Sequence, residues 1–167
     1  MNASDAIRRS FIFSSLDEEQ LAKVLTITRE KKFHKDEIIM QEGEKGDSMY
    51  LVVEGEVGVS KSLTMKFGDN DFRQTEKVLT SFKPEDHVIF GEMALIGQDS
   101  RSASIIARTD CLFLGISRGD FIKLIEADSN LGMKILMKLS ELLINRLKQS
   151  SQDIIRLTTA LSIALNK

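Results

Sequence analysis

One cysteine, one proline and two histidines among 167 residues narrow the possibilities at once. A lone thiol, Cys111, excludes an internal disulfide and fits a reducing compartment, and its apolar neighbours Leu112 and Phe113 mark it as a buried structural side chain. Only His34 and His87 are present, in unrelated contexts, so the clustered ligands of a metal-dependent β-barrel enzyme are missing. No apolar run approaches the roughly 20 residues that span a bilayer, and the N-terminus lacks a charged-then-apolar signal pattern. A soluble, cytoplasmic protein without a membrane partner is expected. With a net charge of -2 and a pI near 5.8, the chain has no overall electrostatic case for gripping nucleic acid. No nucleophile–base pair or glycine-rich triphosphate loop is visible, so catalysis is not expected.

What is present has three textures. With 42% hydrophobic residues the chain can bury a core, and one globular domain with an appendage is expected. Residues 1–30 read as a helical segment. Phe11, Ile12, Phe13 and Leu16 suit a short docking element, and a helix from Asp17 to near Arg29 carries acidic residues in its first turn and apolar Leu21, Val24 and Leu25. The basic pair Arg8-Arg9 before Ser10 superficially resembles a kinase substrate site, with loose spacing, and is not taken as one. Residues 31–116 break into short apolar-alternating runs cut by glycine and acidic turns, which predicts an all-β roll or jelly roll. Gly43, Gly46 and Gly55 fall in its turns, where positive φ explains them. The polar stretch Lys61 to Glu76, centred on Gly68-Asp69-Asn70-Asp71, reads as an extended, mobile hairpin loop.

Residues 117–167 are predicted to be helical. Ser117 and Asp120 suggest a capping box with Asp in place of Glu, Asp128-Ser129-Asn130 breaks the first helix, and a second runs from about Leu131 towards Ala164 without proline. Leu136, Ser140, Leu143, Leu147, Ser150, Ile154, Leu157, Leu161 and Ala164 step by four and three residues, a coiled-coil seam. A single helix cannot bury that seam along its whole length on a small β domain. A parallel homodimer is therefore expected, against the alternative of a helix packed back on its own domain.

The most informative stretch is Phe90-Gly91-Glu92-Met93-Ala94-Leu95-Ile96, followed after a short loop by Arg101-Ser102-Ala103-Ser104. A carboxylate accepts hydrogen bonds from sugar hydroxyls, and a guanidinium offers a planar fork to phosphate oxygens. Gly91 leaves backbone room for a ligand, while the small Ser102, Ala103 and Ser104 leave amides open to an anion. A helical turn beginning near Gly91 would add further amides, and Met93, Ala94, Leu95 and Ile96 would be its core residues.

This stretch resembles the phosphate-binding cassette of the cyclic nucleotide-binding domain family, with the Glu-to-Arg spacing of the kinase regulatory subunits. The run from Gln41 to Val57 resembles the family's second signature, a glycine-acid turn before a strand that ends in a tight hairpin. Lys83-Pro84-Glu85-Asp86-His87 departs from the family by standing where a glycine turn usually precedes the cassette. The run Asn145 to Gln152 resembles the dimer helix of the bacterial cAMP receptor branch, with Ser150 and Ser151 at its two base-contacting hydroxyls, one from each subunit, and Arg146 at an arginine beside the ribose-binding Glu. The resemblance implies mainly β structure with flanking helices, a double-stranded β-roll and a long C-terminal dimerisation helix. It also implies a regulatory module without enzymatic activity or cofactor. Its ligand would be cAMP or cGMP, with cAMP favoured, held by Gly91, Glu92, Met93, Ala94, Arg101, Ser102, Ala103, Ser104, Arg146, Ser150 and Ser151. Its output would pass through an unknown protein partner or an output domain of a longer transcriptional regulator. The competing reading keeps the fold as a non-binding dimerisation platform.

Overall fold

The computed structural model describes residues 3–66, 72–86, 88–97 and 100–165, with side chains of 63–66 and 72–78 left aside. The strands are β1 Thr28–Phe33, β2 Ile38–Met40, β3 Ser48–Glu54, β4 Val57–Lys66, β5 Phe72–Phe82, β6 Ile89–Phe90, β7 Ser104–Ala107 and β8 Cys111–Ser117. They form two antiparallel four-stranded sheets, in the orders β1-β8-β3-β6 and β2-β7-β4-β5. The expected roll is therefore present.

The run Met-Tyr-Leu-Val-Val in β3 has no polar alternation because both faces of the strand are covered. Tyr50 and Val52 point into the roll beside Val57, Ile105 and Phe113. Met49, Leu51 and Val53 point outward to a helical layer with Ile12, Phe13, Leu131, Ile135 and Leu139. Within the roll, Phe33, Tyr50 and Phe113 meet edge-to-face, with ring centroids 5.6–6.4 Å apart, a geometry that suits ring quadrupoles. Cys111 is buried in this core, and burial pushes its thiol pKa up. β1 is an edge strand, and its Arg29, Glu30, Lys31 and Lys32 are exposed. Such charges blunt an edge against further pairing.

Helix α1 spans Ala3–Arg9, a 3₁₀ turn Phe11–Phe13, and α2 Glu18–Thr26. Asp17 accepts from the Gln20 amide and Gln20 reaches back to the Asp17 amide, a complete capping box. α2 stops at Thr26 rather than near Arg29, because residues from Thr28 pair with β8 starting at Ile116. Ser10 is wholly buried, which removes it from any kinase.

The stretch expected as a hairpin loop is instead paired: β4 and β5 run in register from Val57↔Phe82 to Lys66↔Phe72. The polar composition there belongs to a paired ribbon rather than a loop. Its centre, Gly68 to Asp71, lies outside the described residues, as does His87. The ladder skips one residue of β5 between Val59↔Thr80 and Ser60↔Val78. Leu79 is the residue left over, the count expected of a β-bulge.

Helix α3 is the short turn Met93–Ile96, α4 spans Arg118–Ala127 and α5 spans Ser129–Leu165. Ser117 caps α4 by accepting from the Asp120 amide, but the Asp120 carboxylate takes the Ser117 hydroxyl instead of a backbone amide, so the box is half made. Asp128 ends α4 and caps α5 by accepting from the Leu131 amide at 3.0 Å. The first turns of α5 do pack back on their own domain. Leu131, Ile135 and Leu139 are fully buried, a gross burial of about 5–9 kcal/mol. From Ile144 to Leu165 every residue is exposed, with Leu147 at 68% and Leu157 at 71%. The alternative of a helix folded back thus holds for the N-terminal part of α5, where Leu142 and Leu143 also pack on the core and Arg146 still reaches Ile89 O.

Candidate functional site

Arg101 enters from the segment before β7, and the glycine-acid turn holds its backbone. Arg101 donates its amide to Glu44 O at 2.8 Å, and Gly43 donates to Arg101 O at 2.9 Å. Its guanidinium is turned inward at 9% exposure. Nη2 donates to Ser48 O at 2.8 Å and Nη1 lies 3.5 Å from Gly91 O. Nε is buried without a partner. A buried cationic donor left unpaired is costly; Nε lies against Gly46, while Arg101 also borders the adjoining cavity, where its charge favours an anion.

Two glycines make this placement possible. A Cβ on Gly46 would collide with the Arg101 guanidinium. Gly46 is not among the positive-φ residues, so close approach is its reason rather than the expected backbone freedom. Gly91 has φ +74°, and a Cβ there would lie 2.7 Å from Ser48 O. Its role is to pass the backbone under Ser48 and beside Arg101.

Glu92 sits at the start of α3 but makes no side-chain cap bond. Its carboxylate, 3% exposed, accepts from Nη1 of Arg146 on α5. Arg146 Nη2 also donates to Ile89 O at 3.0 Å. Arg146 therefore joins the helix to the cassette.

These groups border a cavity of about 650 Å³, also lined by Val59, Leu79, Thr80, Phe82, Val88 and Phe90. That is within the range of small-molecule sites. Charges gather at one part of the lining, Glu92, Arg101 and Arg146, and apolar side chains supply most of the rest. Ser102 and Ala103 lie on its wall, and Leu143, Leu147 and Ser150 of α5 contribute as well. A larger, open groove of about 810 Å³ is bordered by Asp5, Arg9, Glu54, Glu56, Lys83 and Glu85. Its mixed charges select no ligand class.

Of the residues expected from sequence, Gly91, Glu92, Met93, Ala94, Arg101, Ser102, Ala103, Arg146 and Ser150 converge on this one cavity. Two others do not line it. The Ser104 hydroxyl accepts from the Glu42 amide at 3.0 Å and the Gln41 side chain at 3.3 Å, while its strand neighbour Ile105 takes the cavity side, as strand alternation requires. Ser151 is turned one helical step from Ser150 and donates to Leu147 O at 2.9 Å. The core expectation for the α3 turn also needs correction. Ala94 and Leu95 are buried, but Met93 and Ile96 are 47% and 52% exposed, since a four-residue turn has only one covered side. Sequence reading missed the apolar wall of β4, β5 and β6. Its available signal was the inward alternation of Val59, Thr80 and Phe82.

Comparison with known proteins decides what this cavity belongs to. The model of the cyclic nucleotide-binding domain matches residues 30–128. The chain belongs to the cyclic nucleotide-binding domain family. It is 27% identical over 124 residues to a cAMP-dependent protein kinase regulatory subunit of Eremothecium gossypii, covering 74% of this chain and 24% of that one. It is 32% identical over 127 residues to cGMP-dependent protein kinase isozyme 1 of Drosophila melanogaster, covering 74% and 15%. The chain thus spans a quarter or less of the length of these relatives. The crystal structure of Thermus thermophilus catabolite activator protein superposes with a TM-score of 0.73 at 26% identity, covering 89% of this chain and 63% of that one. The family is named for cyclic nucleotide binding, and the Eremothecium gossypii relative is a regulatory subunit. Among the described residues, no helix is long and apolar enough to cross a membrane.

Proposed function

We infer that this chain is a cyclic nucleotide sensor whose ligand bridges the β-roll and helix α5. The observation that carries the reading is the convergence of a buried guanidinium, Arg101, and a buried carboxylate, Glu92, on one cavity. The cyclic phosphate would sit against Arg101 and the amides near Ser102 and Ala103, and the ribose hydroxyl on Glu92. The base would lie along Val59, Phe82 and Leu147. A carboxylate has several lone-pair sites, so Glu92 can hold Arg146 and a ribose hydroxyl together. Ser150 at the cavity wall favours cAMP as the ligand, while relatives of both the cAMP and the cGMP kind are similar to the chain.

The exposed seam of α5 fits a parallel homodimer, in which Ser151 would face the partner's base. Ligand contact with both roll and helix would stabilise one angle at the Ser117–Leu131 hinge over others, by the difference in affinity between those states. A protein partner or an output domain of a longer chain would read that angle.

Titration with cAMP and with its 2′-deoxy analogue tests the site. The account expects the analogue to bind about tenfold or more weakly, the loss of a hydrogen bond to a charged group. Equal affinity would remove Glu92 from the ribose.

A further inference from the structure

The N-terminal segment is wired to α5 by a polar cluster away from the cavity. Asp17, Gln20 and Lys23 fall at steps of three, on one side of α2. Gln20, only 6% exposed, donates from Nε2 to Asn130 at 3.0 Å and accepts at Oε1 from Lys134 at 2.7 Å. Lys134 also lies 3.6 Å from the Asp17 carboxylate, and Lys23 pairs with Asp128 at 2.9 Å. Gln20 therefore completes the cap of α2 and grips the first turns of α5 with the same amide. Apart from Asp128, every member of this cluster lies outside residues 30–128, the part matched by the family model.

The cluster acts on a lever. Lys134 and Arg146 are separated by twelve residues of one helix, or about 18 Å at 1.5 Å per residue. A tilt of about 10° at Lys134 would carry Arg146 roughly 3 Å, enough to break its bond to Glu92. The apolar contacts of Leu131, Ile135 and Leu139 keep α5 docked but are not directional, whereas hydrogen bonds at both amide atoms of Gln20 fix one angle and register.

We propose that Gln20 is a positioning residue of the nucleotide site: with Lys23, Asn130 and Lys134 it sets the angle of α5 at which Arg146 meets Glu92, so the N-terminal segment tunes nucleotide affinity. The inference rests on the sensor reading above for its affinity arm and on geometry alone for its distance arm.

The test pairs Gln20→Met, which keeps side-chain volume, with Asn130→Ala, which removes one partner at an exposed site and leaves the α2 cap intact. Spin labels at Glu30→Cys in β1 and Lys148→Cys in α5, both exposed positions, report the roll-to-helix distance. Labelled chain is diluted with unlabelled chain so that only intrachain distances are read. The expected result is a shifted or broadened distance distribution in both variants without nucleotide, and cAMP affinity lowered about threefold or more. In an Arg146→Ala background Gln20→Met should lower affinity no further, a coupling that general destabilisation would not produce. Unchanged distances, or an undiminished affinity loss in the Arg146→Ala background, would overturn the proposal. If the unmutated protein binds no cAMP, the sensor reading fails, and the distance arm alone decides whether the cluster sets the angle of α5.

Discussion

Arg146, in the middle of a long helix, donates to the buried carboxylate of Glu92, 54 residues earlier in the chain. The pair links the element that would hold the ribose to the element that would carry the output. Arg146→Ala should leave Glu92 buried and unpaired, at a cost of about 1–3 kcal/mol in stability. Urea denaturation checks this, and Glu92→Gln in the same background should restore part of the loss by removing the charge.

Gly91→Ala should fail for two reasons that act together. Its φ of +74° disfavours any side chain, and the new Cβ would meet Ser48 O at 2.7 Å. A destabilisation of about 1–3 kcal/mol is expected, together with weaker nucleotide binding, because Ser48 O is also a partner of Arg101. Thermal denaturation and binding measured on one preparation check both parts.

Much of this arrangement was readable in the sequence, because its signals are local. The cassette residues from Gly91 to Ala103 lie within one short run, and strand alternation with glycine punctuation gave the roll. What escaped depended on contacts between distant segments. Gly46 reads as a turn glycine in the sequence, whereas in the fold it makes room for the Arg101 side chain. Ser104 looked like a phosphate neighbour, but strand direction turns it towards Glu42. The paired ribbon at Lys61–Lys66 reads as a loop from its lysines and hydroxyl residues, although Leu63 and Met65 alternate as one face of a strand does. For α5, the heptad steps were legible, while the docking of Leu131, Ile135 and Leu139 required knowing where the N-terminal segment lies.

Ile154 and Leu161, both exposed at about 60%, lie on the proposed seam beyond the cavity. Ile154→Asp combined with Leu161→Asp would place charges in a dimer core, and like charges facing across it would cost several kcal/mol. Sedimentation equilibrium should then find a monomer, against the dimer expected of the unmutated chain. A dimer that survives both changes would place the interface elsewhere.

Acid should loosen the α4–α5 junction before the roll unfolds. The Asp128 carboxyl is held below its ordinary range, first by the Leu131 amide and then by Lys23, and the Lys23 ammonium is raised in turn, chiefly by Asp128. A carboxylate with a depressed folded pKa contributes stability above its unfolded value, and that contribution is lost as pH falls through the folded value. The raised Lys23 is fully effective below its unfolded pKa, so it does not oppose this trend in acid. Amide exchange at Leu131, whose N–H is bonded to Asp128, should accelerate relative to β3 amides below the usual carboxylate range. Asp128→Asn should remove that pH dependence.

The central claim is that Arg101 waits for a phosphate. Isothermal titration of the purified protein with cAMP and, separately, cGMP addresses it most directly, after a denatured sample has been checked for nucleotide carried through purification. The account predicts micromolar or tighter binding, stronger for cAMP, and weakened at least about tenfold in Arg101→Ala. No heat from either nucleotide with an empty cavity, or binding that survives Arg101→Ala undiminished, would contradict it.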